Sequence, residues 1–150
     1  MRRMKRRTSL LMFSAIAGAS LLSACAVPSS PAAGGTAQLR VTGTVTYRER
    51  IALDPAADIV VQLLDVSLMD APSKVLAEQR IKANGKQVPF AYELKVDAAR
   101  IDPRMRYAVS ARITRGEQLL FINDTQYPVL TQGGATSADL VLVRVAQAPR

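Results

Sequence analysis

From Gln38 to Val145 apolar side chains recur mostly at every second position, and this period leaves few folds open. In an extended strand successive side chains point to opposite faces, so alternation buries one face and wets the other. Leu39, Val41, Val45 and Tyr47 alternate with Arg40, Thr42, Thr44 and Thr46, and Ile59, Val61 and Leu63 share one face of a second segment. Val75, Ala77 and Ile81 alternate with Leu76, Glu78, Arg80 and Lys82; Val88, Phe90, Tyr92, Leu94 and Val96 alternate with Pro89, Ala91, Glu93 and Lys95. Met105, Tyr107, Val109, Ala111 and Ile113 alternate with Arg106, Ala108, Ser110, Arg112 and Thr114. Leu119 to Ile122 is a short apolar run, and Val141, Val143 and Val145 oppose Leu140 and Leu142.

Turn residues separate these segments: Asp54-Pro55, Asp70-Ala71-Pro72, Asn84-Gly85, Asp102-Pro103, Arg115-Gly116 and Gly133-Gly134. Asn84-Gly85 predicts a hairpin with a type I′ turn, whose two central residues both need positive φ. Arg115-Gly116 predicts a second hairpin. No long stretch keeps a helical period, although 97–105 has room for one helical turn. The fold expected is all-β: an antiparallel β-sandwich of about seven strands, immunoglobulin-like or transthyretin-like, with a small closed barrel as the alternative. Tyr107 follows a Pro turn at a strand start and reads as a core tyrosine, or as a tyrosine corner whose hydroxyl bonds nearby backbone.

The first 24 residues read as a removable address. Arg2, Arg3, Lys5, Arg6 and Arg7 supply five positive charges without an acid, and Leu10 to Leu22 is a mainly apolar run of 13 residues. That is a secretory signal pattern; as a helix the run falls short of the roughly 20 residues that span a bilayer. Leu22-Ser23-Ala24-Cys25 resembles the bacterial lipobox. The resemblance implies cleavage between Ala24 and Cys25 and acylation of Cys25, which would hold the chain on a membrane through several acyl chains. Ala26 in place of Asp resembles sorting to the outer membrane. The alternatives are a plain secretory signal with an incidental cysteine and a signal anchor that is never cut. Val27 to Ala37 is uncharged and rich in Pro, Gly and Ser, the composition of a flexible linker. The expected organisation is a signal peptide over 1–24, a lipidated N-terminus and linker over 25–37, and a β domain over 38–147.

Charge and composition narrow the function classes. Lys and Arg total 20 against 12 Asp and Glu, a formal +8. Five of the cations lie in the signal, so the processed chain carries 15 cations against the 12 acids. A basic footprint for nucleic acid is thereby lost, and no nucleic-acid partner is expected. The chain has no His and one Cys, which excludes Ser-His-Asp and Cys-His catalysis, His-ligated metal, an internal disulfide and Cys-ligated zinc or iron–sulfur sites. No Ser-x-x-Lys, P-loop or Gly-x-Gly-x-x-Gly is present. No cofactor, metal or small-molecule substrate is expected.

Two groups of side chains remain to be weighed. Asp65, Asp70, Asp97, Asp102 and Asp124 sit near strand ends, where a close pair could hydrolyse a glycoside; turn and cap roles fit the same positions better. Arg104, Arg106 and Arg112 share the parity opposite to Met105, Tyr107 and Ile113, which turns them together toward water. They read either as a patch for an anionic partner (an acidic peptide, a lipid headgroup or a glycan) or as a solvated face balanced by Glu93, Asp97 and Asp102.

One stretch is more specific. Gly43-Thr-Val-Thr-Tyr-Arg-Glu-Arg-Ile-Ala-Leu53, then Val61-x-Leu-x-Asp-Val-Ser67, then Asp124-Thr-Gln-Tyr-Pro-Val-Leu-Thr131 resemble the YbaY/YscW lipoprotein family across residues 38–145. Asp54-Pro55 stands where that family often has Pro-Pro. The resemblance implies a small bacterial envelope lipoprotein with a β-sandwich, not an enzyme. Type III secretion members are chaperones, or pilotins, that bind a secretin segment; YbaY-like members are linked in name to polysaccharide metabolism. The matching residues are strand and turn residues, so they carry a fold and a location without a contact residue. The expected protein is lipid-anchored through Cys25 to the periplasmic face of the outer membrane. Its domain binds an envelope protein, a secretin or another, at a sheet edge by β-augmentation or in a groove. The alternative is a non-enzymatic glycan-binding or envelope-homeostasis lipoprotein.

Overall fold

The computed structural model describes residues 37–146; the signal, the lipobox residues Leu22, Ser23 and Ala24, Cys25 and the linker up to 36 lie outside them. Eight strands form: β1 (Gln38–Tyr47), β2 (Asp58–Asp65), β3 (Lys74–Lys82), β4 (Phe90–Asp97), β5 (Tyr107–Arg115), β6 (Gln118–Ile122), β7 (Tyr127–Val129) and β8 (Leu140–Arg144). They pair in the order β3-β2-β5-β6-β8-β1-β4, with β7 on β5 beside β6. All strand ladders are antiparallel except β1 with β8. The sheet curls until its two end strands face each other, giving a nearly closed barrel, or sandwich, of seven main strands.

The period of two does what it predicts. In β4, Phe90, Tyr92, Leu94 and Val96 are buried while Ala91, Glu93 and Lys95 are exposed. The same inward set in the other strands brings Val41, Val45, Ile59, Val61, Leu63, Val109, Ile113, Leu140 and Leu142 into one core. Such burial is the main favourable term in folding. Tyr47 stacks on Phe121, ring centroids 4.4 Å apart. The helical turn after Asp97 is a single 3-10 turn, Ala98–Arg100, whose Ala99 N–H donates to the Asp97 carboxylate at 2.9 Å.

All four tyrosines lie in or against this core and use their hydroxyls to hold backbone. Tyr47 donates to the Ile51 carbonyl (2.9 Å) and Tyr92 to that of Ala138 (2.7 Å). Tyr107 accepts from the Asp102 N–H (2.9 Å) and Tyr127 from that of Val141 (2.9 Å). Tyr107 is thus both readings at once: a buried core ring and a corner that ties its own preceding turn. Burial, with the Asp139 charge as a lesser cause, raises the Tyr92 pKa far above the ordinary phenol value, so this hydroxyl stays a donor.

The second expected hairpin forms between β5 and β6 around Gly116, at φ 58°. The first is corrected. Asn84 (φ 46°) and Gly85 (φ 77°) both take positive φ, and the Lys86 N–H bonds the Ala83 carbonyl at 2.8 Å. The turn is therefore made, yet β3 pairs with β2 and β4 with β1, and no ladder joins β3 to β4. The reason lies beyond the turn. Gln87 accepts from the Leu53 N–H (2.7 Å) and donates to the Leu53 carbonyl (3.3 Å), which carries the chain toward a different loop. Pro89 then offers no N–H to a neighbour, so β4 starts at Phe90 rather than Val88.

Of the described glycines, Gly43 leaves the least room for a side chain. A Cβ there would lie 1.9 Å from the Ala138 carbonyl oxygen. Gly43→Ala is therefore expected to cost about 2–3 kcal/mol and to lower Tm by about 10 °C. Gly85→Ala, where a Cβ meets open space, should cost only the left-handed backbone penalty of about 1 kcal/mol. Thermal melting of the two variants checks the order.

Candidate functional site

β5 presents Tyr107, Val109, Ala111 and Ile113 to the core, so Ala108 points outward. It is nonetheless only 5% exposed. The cover is a cleft of about 500 Å³ over the outer face of β5 and β7, floored by Tyr107, Ala108 and Pro128. One wall is the segment after β2, from Val66 to Ser73; the other is the Thr131–Gln132 turn.

Local chemistry sets both walls. Asp65 accepts from the Ser67 N–H (3.0 Å) and hydroxyl (2.5 Å), a turn that needs a short acidic side chain. Val66 N–H then bonds the Arg106 carbonyl, and Arg106 N–H bonds the Ser67 hydroxyl, both at 2.9 Å, which staples the wall to the start of β5. Beyond the staple Leu68 and Met69 stand in water, 71% and 88% exposed. On the far side the Thr131 hydroxyl donates to the Met105 carbonyl at 2.7 Å and the Gln132 amide to that of Arg104 at 3.3 Å.

The three arginines of the expected anionic-partner patch are not brought into one cluster. Arg106 lines the cleft; its guanidinium reaches the Ser67 carbonyl at 3.4 Å and makes no ion pair among the described residues. Arg104 lies nearby in the turn before β5, because the strand starts at Tyr107 rather than Met105, and it grips Asp102 with two nitrogens at 2.8 and 3.1 Å. Arg112 lies six residues along from Arg106, about 20 Å at the strand rise, and donates to Gln62 at 3.1 Å. Gln62 and Arg80 both bind Glu78 beside it. Of the expected balancing acids, Asp102 pairs with Arg104, Glu93 with Arg40 and Lys95, and Asp97 caps the 3-10 turn.

Four of the five aspartates near strand ends follow the same pattern, while Asp70 stands exposed in the 66–73 segment. Asp65, Asp97 and Asp102 each accept a backbone N–H two residues on, and Asp124 accepts the Thr125 hydroxyl. Among the described residues no three acids converge as a metal site.

The alternative site, a sheet edge, has a different character. β3 and β4 face each other without a ladder, and side chains stitch the seam. Gln79 accepts from the Glu93 N–H at 2.7 Å, and Arg100 donates to the Leu76 carbonyl at 3.1 Å. Leu76 is the extra residue of a bulge, since Leu63 faces Ala77 and Leu64 faces Val75. Bulges and charges of this kind discourage strand addition. The cleft is the more concave of the two surfaces.

Alternation alone did not mark the cleft, although two traces of it stand in the sequence. Leu68-Met69 is an apolar pair inside a turn segment, and Ala108 is a small apolar residue at an outward parity.

The Asp102–Arg104 grip has a measurable signature. Hydrogen bonds from the Arg104 side chain and then from its backbone N–H lower the Asp102 pKa from 3.8 to about 2. A lowered carboxyl pKa favours the folded state above the ordinary value, and the contribution disappears as pH falls through about 2. The Asp102 carboxyl carbon resonance should titrate with a midpoint near 2, and in Arg104→Ala it should move back toward 3.8.

Three comparisons bear on this geometry. The family described as type III secretion system lipoprotein chaperone (YscW) matches residues 36–142. The uncharacterized lipoprotein YbaY of Escherichia coli (strain K12) is 49% identical over 110 residues, which are 73% of this chain and 57% of that protein. The chain thus spans little more than half of that relative's length. An alternative pilotin from the type II secretion system of Vibrio cholerae superposes with a TM-score of 0.71 at 43% identity, covering 74% of this chain and all of that one. By the extent of these matches the chain belongs to the YscW family of secretion-system lipoprotein chaperones.

Proposed function

We propose that this chain is a periplasmic, outer-membrane-associated lipoprotein of the pilotin type, acylated at Cys25, whose barrel holds a segment of an envelope protein such as a secretin. The observation that carries the proposal is the match to the Vibrio cholerae pilotin over that protein's whole length, at 43% identity. The work assigned is binding, not bond-making. The cleft over β5 is its seat: it has an apolar floor, a cation without an ion-pair partner among the described residues, and a volume of about 500 Å³, within the range of ligand pockets. An apolar peptide side chain would displace water from Ala108 and Pro128, and a carboxylate of the same segment would meet Arg106. Lipid on Cys25 and the linker through Ala37 would supply the membrane address.

The test uses the lipidated protein purified from its own envelope. A secretin should copurify, and mass spectrometry should show acyl groups on an N-terminal Cys25. Arg106→Ala is expected to weaken the captured segment about tenfold, and Ala108→Arg to abolish capture while the melting curve stays cooperative. Two cleft variants that bind as the parent does would remove the cleft from the proposal. Lack of any envelope protein partner would remove the pilotin role.

A further inference from the structure

One end of the barrel carries a wall of the cleft together with features outside it. Ala37 sits there, since the Ala98 N–H bonds its carbonyl at 2.8 Å and Gln38 faces Asp97 in the β1–β4 ladder. Asp65 faces both Lys74 and Tyr107, which places the end of β2 beside the starts of β3 and β5. Arg100 links the two groups by its bond to the Leu76 carbonyl. The chain therefore enters the domain at the end that carries the 66–73 segment.

Of the seven exposed large apolar side chains among the described residues, Leu68, Met69, Val75 and Met105 all lie at this end. Leu68 and Met69 are its most exposed members and occupy the tip of the segment. The charges around them cancel: Lys74, Arg100, Arg104 and Arg106 against Asp65, Asp70, Asp97 and Asp102. An apolar tip on a neutral rim suits the hydrocarbon boundary of a bilayer rather than a charged surface.

We propose that this end of the barrel seats on the membrane, with Leu68 and Met69 entering the lipid interface. The inference rests on the reading that Cys25 is acylated. The 13 residues from Cys25 to Ala37 span at most about 45 Å when fully extended. The opposite end lies a strand length further, about 26 Å for eight residues; the tether's reach exceeds that length, so it lets the entry end seat without compelling it, and the apolar tip selects the end that does. The lipid supplies the hold and the loop supplies the orientation. The cleft, whose wall is this loop, then opens at the membrane surface.

The chain has no tryptophan, so one substitution creates a sole fluorophore. Leu68→Trp and Met69→Trp probe the tip, and Ile51→Trp, also at an exposed apolar position but beyond the far end of β1, is the control. Each full-length variant is expressed with its signal, purified after processing, checked by mass for its acyl chains, and placed in phosphatidylethanolamine–phosphatidylglycerol vesicles with brominated acyl chains. The tip variants should shift to the blue and lose intensity about twofold, equally in vesicles of phosphatidylcholine, while Ile51→Trp stays unquenched. Acylated protein with equal, weak quenching at both ends overturns the inference alone. So does a tip that is shielded only after a partner protein is added. Protein that carries no acyl chain overturns the inference together with the anchoring reading.

Discussion

The barrel depends on the join between β8 and β1. One set of strands, β2, β3, β5, β6 and β7, pairs among itself; the other, β1 and β4, pairs separately; β8 alone forms a ladder with both. Its parallel ladder with β1 covers only Val45 to Tyr47 opposite Leu140 to Leu142. Before it, a single bridge of Thr42 with Ser137 continues the pairing: the Thr42 N–H donates to the Thr136 carbonyl (3.1 Å) and the Thr42 carbonyl accepts from the Ala138 N–H (2.9 Å). The Thr44 N–H and hydroxyl both donate to Asp139, at 3.0 and 2.8 Å, and Tyr92 donates to the Ala138 carbonyl. Gly43 lets that carbonyl come close. Side-chain bonds thus reinforce a join whose main-chain pairing is short, and each polar group there has a partner.

A second consequence of the pairing is the cleft itself. β6 and β7 share one edge of β5, β6 along Arg112 to Arg115 and β7 along Tyr107 to Val109. The short β7 leads into a turn where Leu130 and Gln132 take positive φ. That turn stands up as one wall while the stapled segment after Asp65 stands up as the other. The floor between them is Tyr107, Ala108 and Pro128, with Arg106 as the cation in the lining.

Much of this was legible in the alternation. Seven of the eight strands, the Gly116 hairpin and the capping aspartates follow from local chemistry that a sequence states directly. β7 was not legible, because three residues, Tyr127-Pro-Val129, are too few to show a period. The β3–β4 separation was also hidden. Asn84-Gly85 encodes a turn and nothing about what its flanks will pair with, and the competing attachment of Gln87 to Leu53 spans 34 positions. Arg104, Arg106 and Arg112 shared a parity on paper. The strand starts after Arg106, so parity ceased to describe the first two. The cleft is a product of topology, and no short motif encodes it.

The stitched seam sets where this barrel is softest. Antiparallel strands turn alternate amides to opposite sides, so with the Glu93 N–H directed at β3, those of Ala91 and Lys95 point the same way and meet no ladder there. Parting β3 from β4 breaks two side-chain contacts and no main-chain ladder. Every other line along the wall would sacrifice a run of peptide pairs. The cylinder is in effect slit lengthwise, and any swelling of its interior would begin by widening that slit.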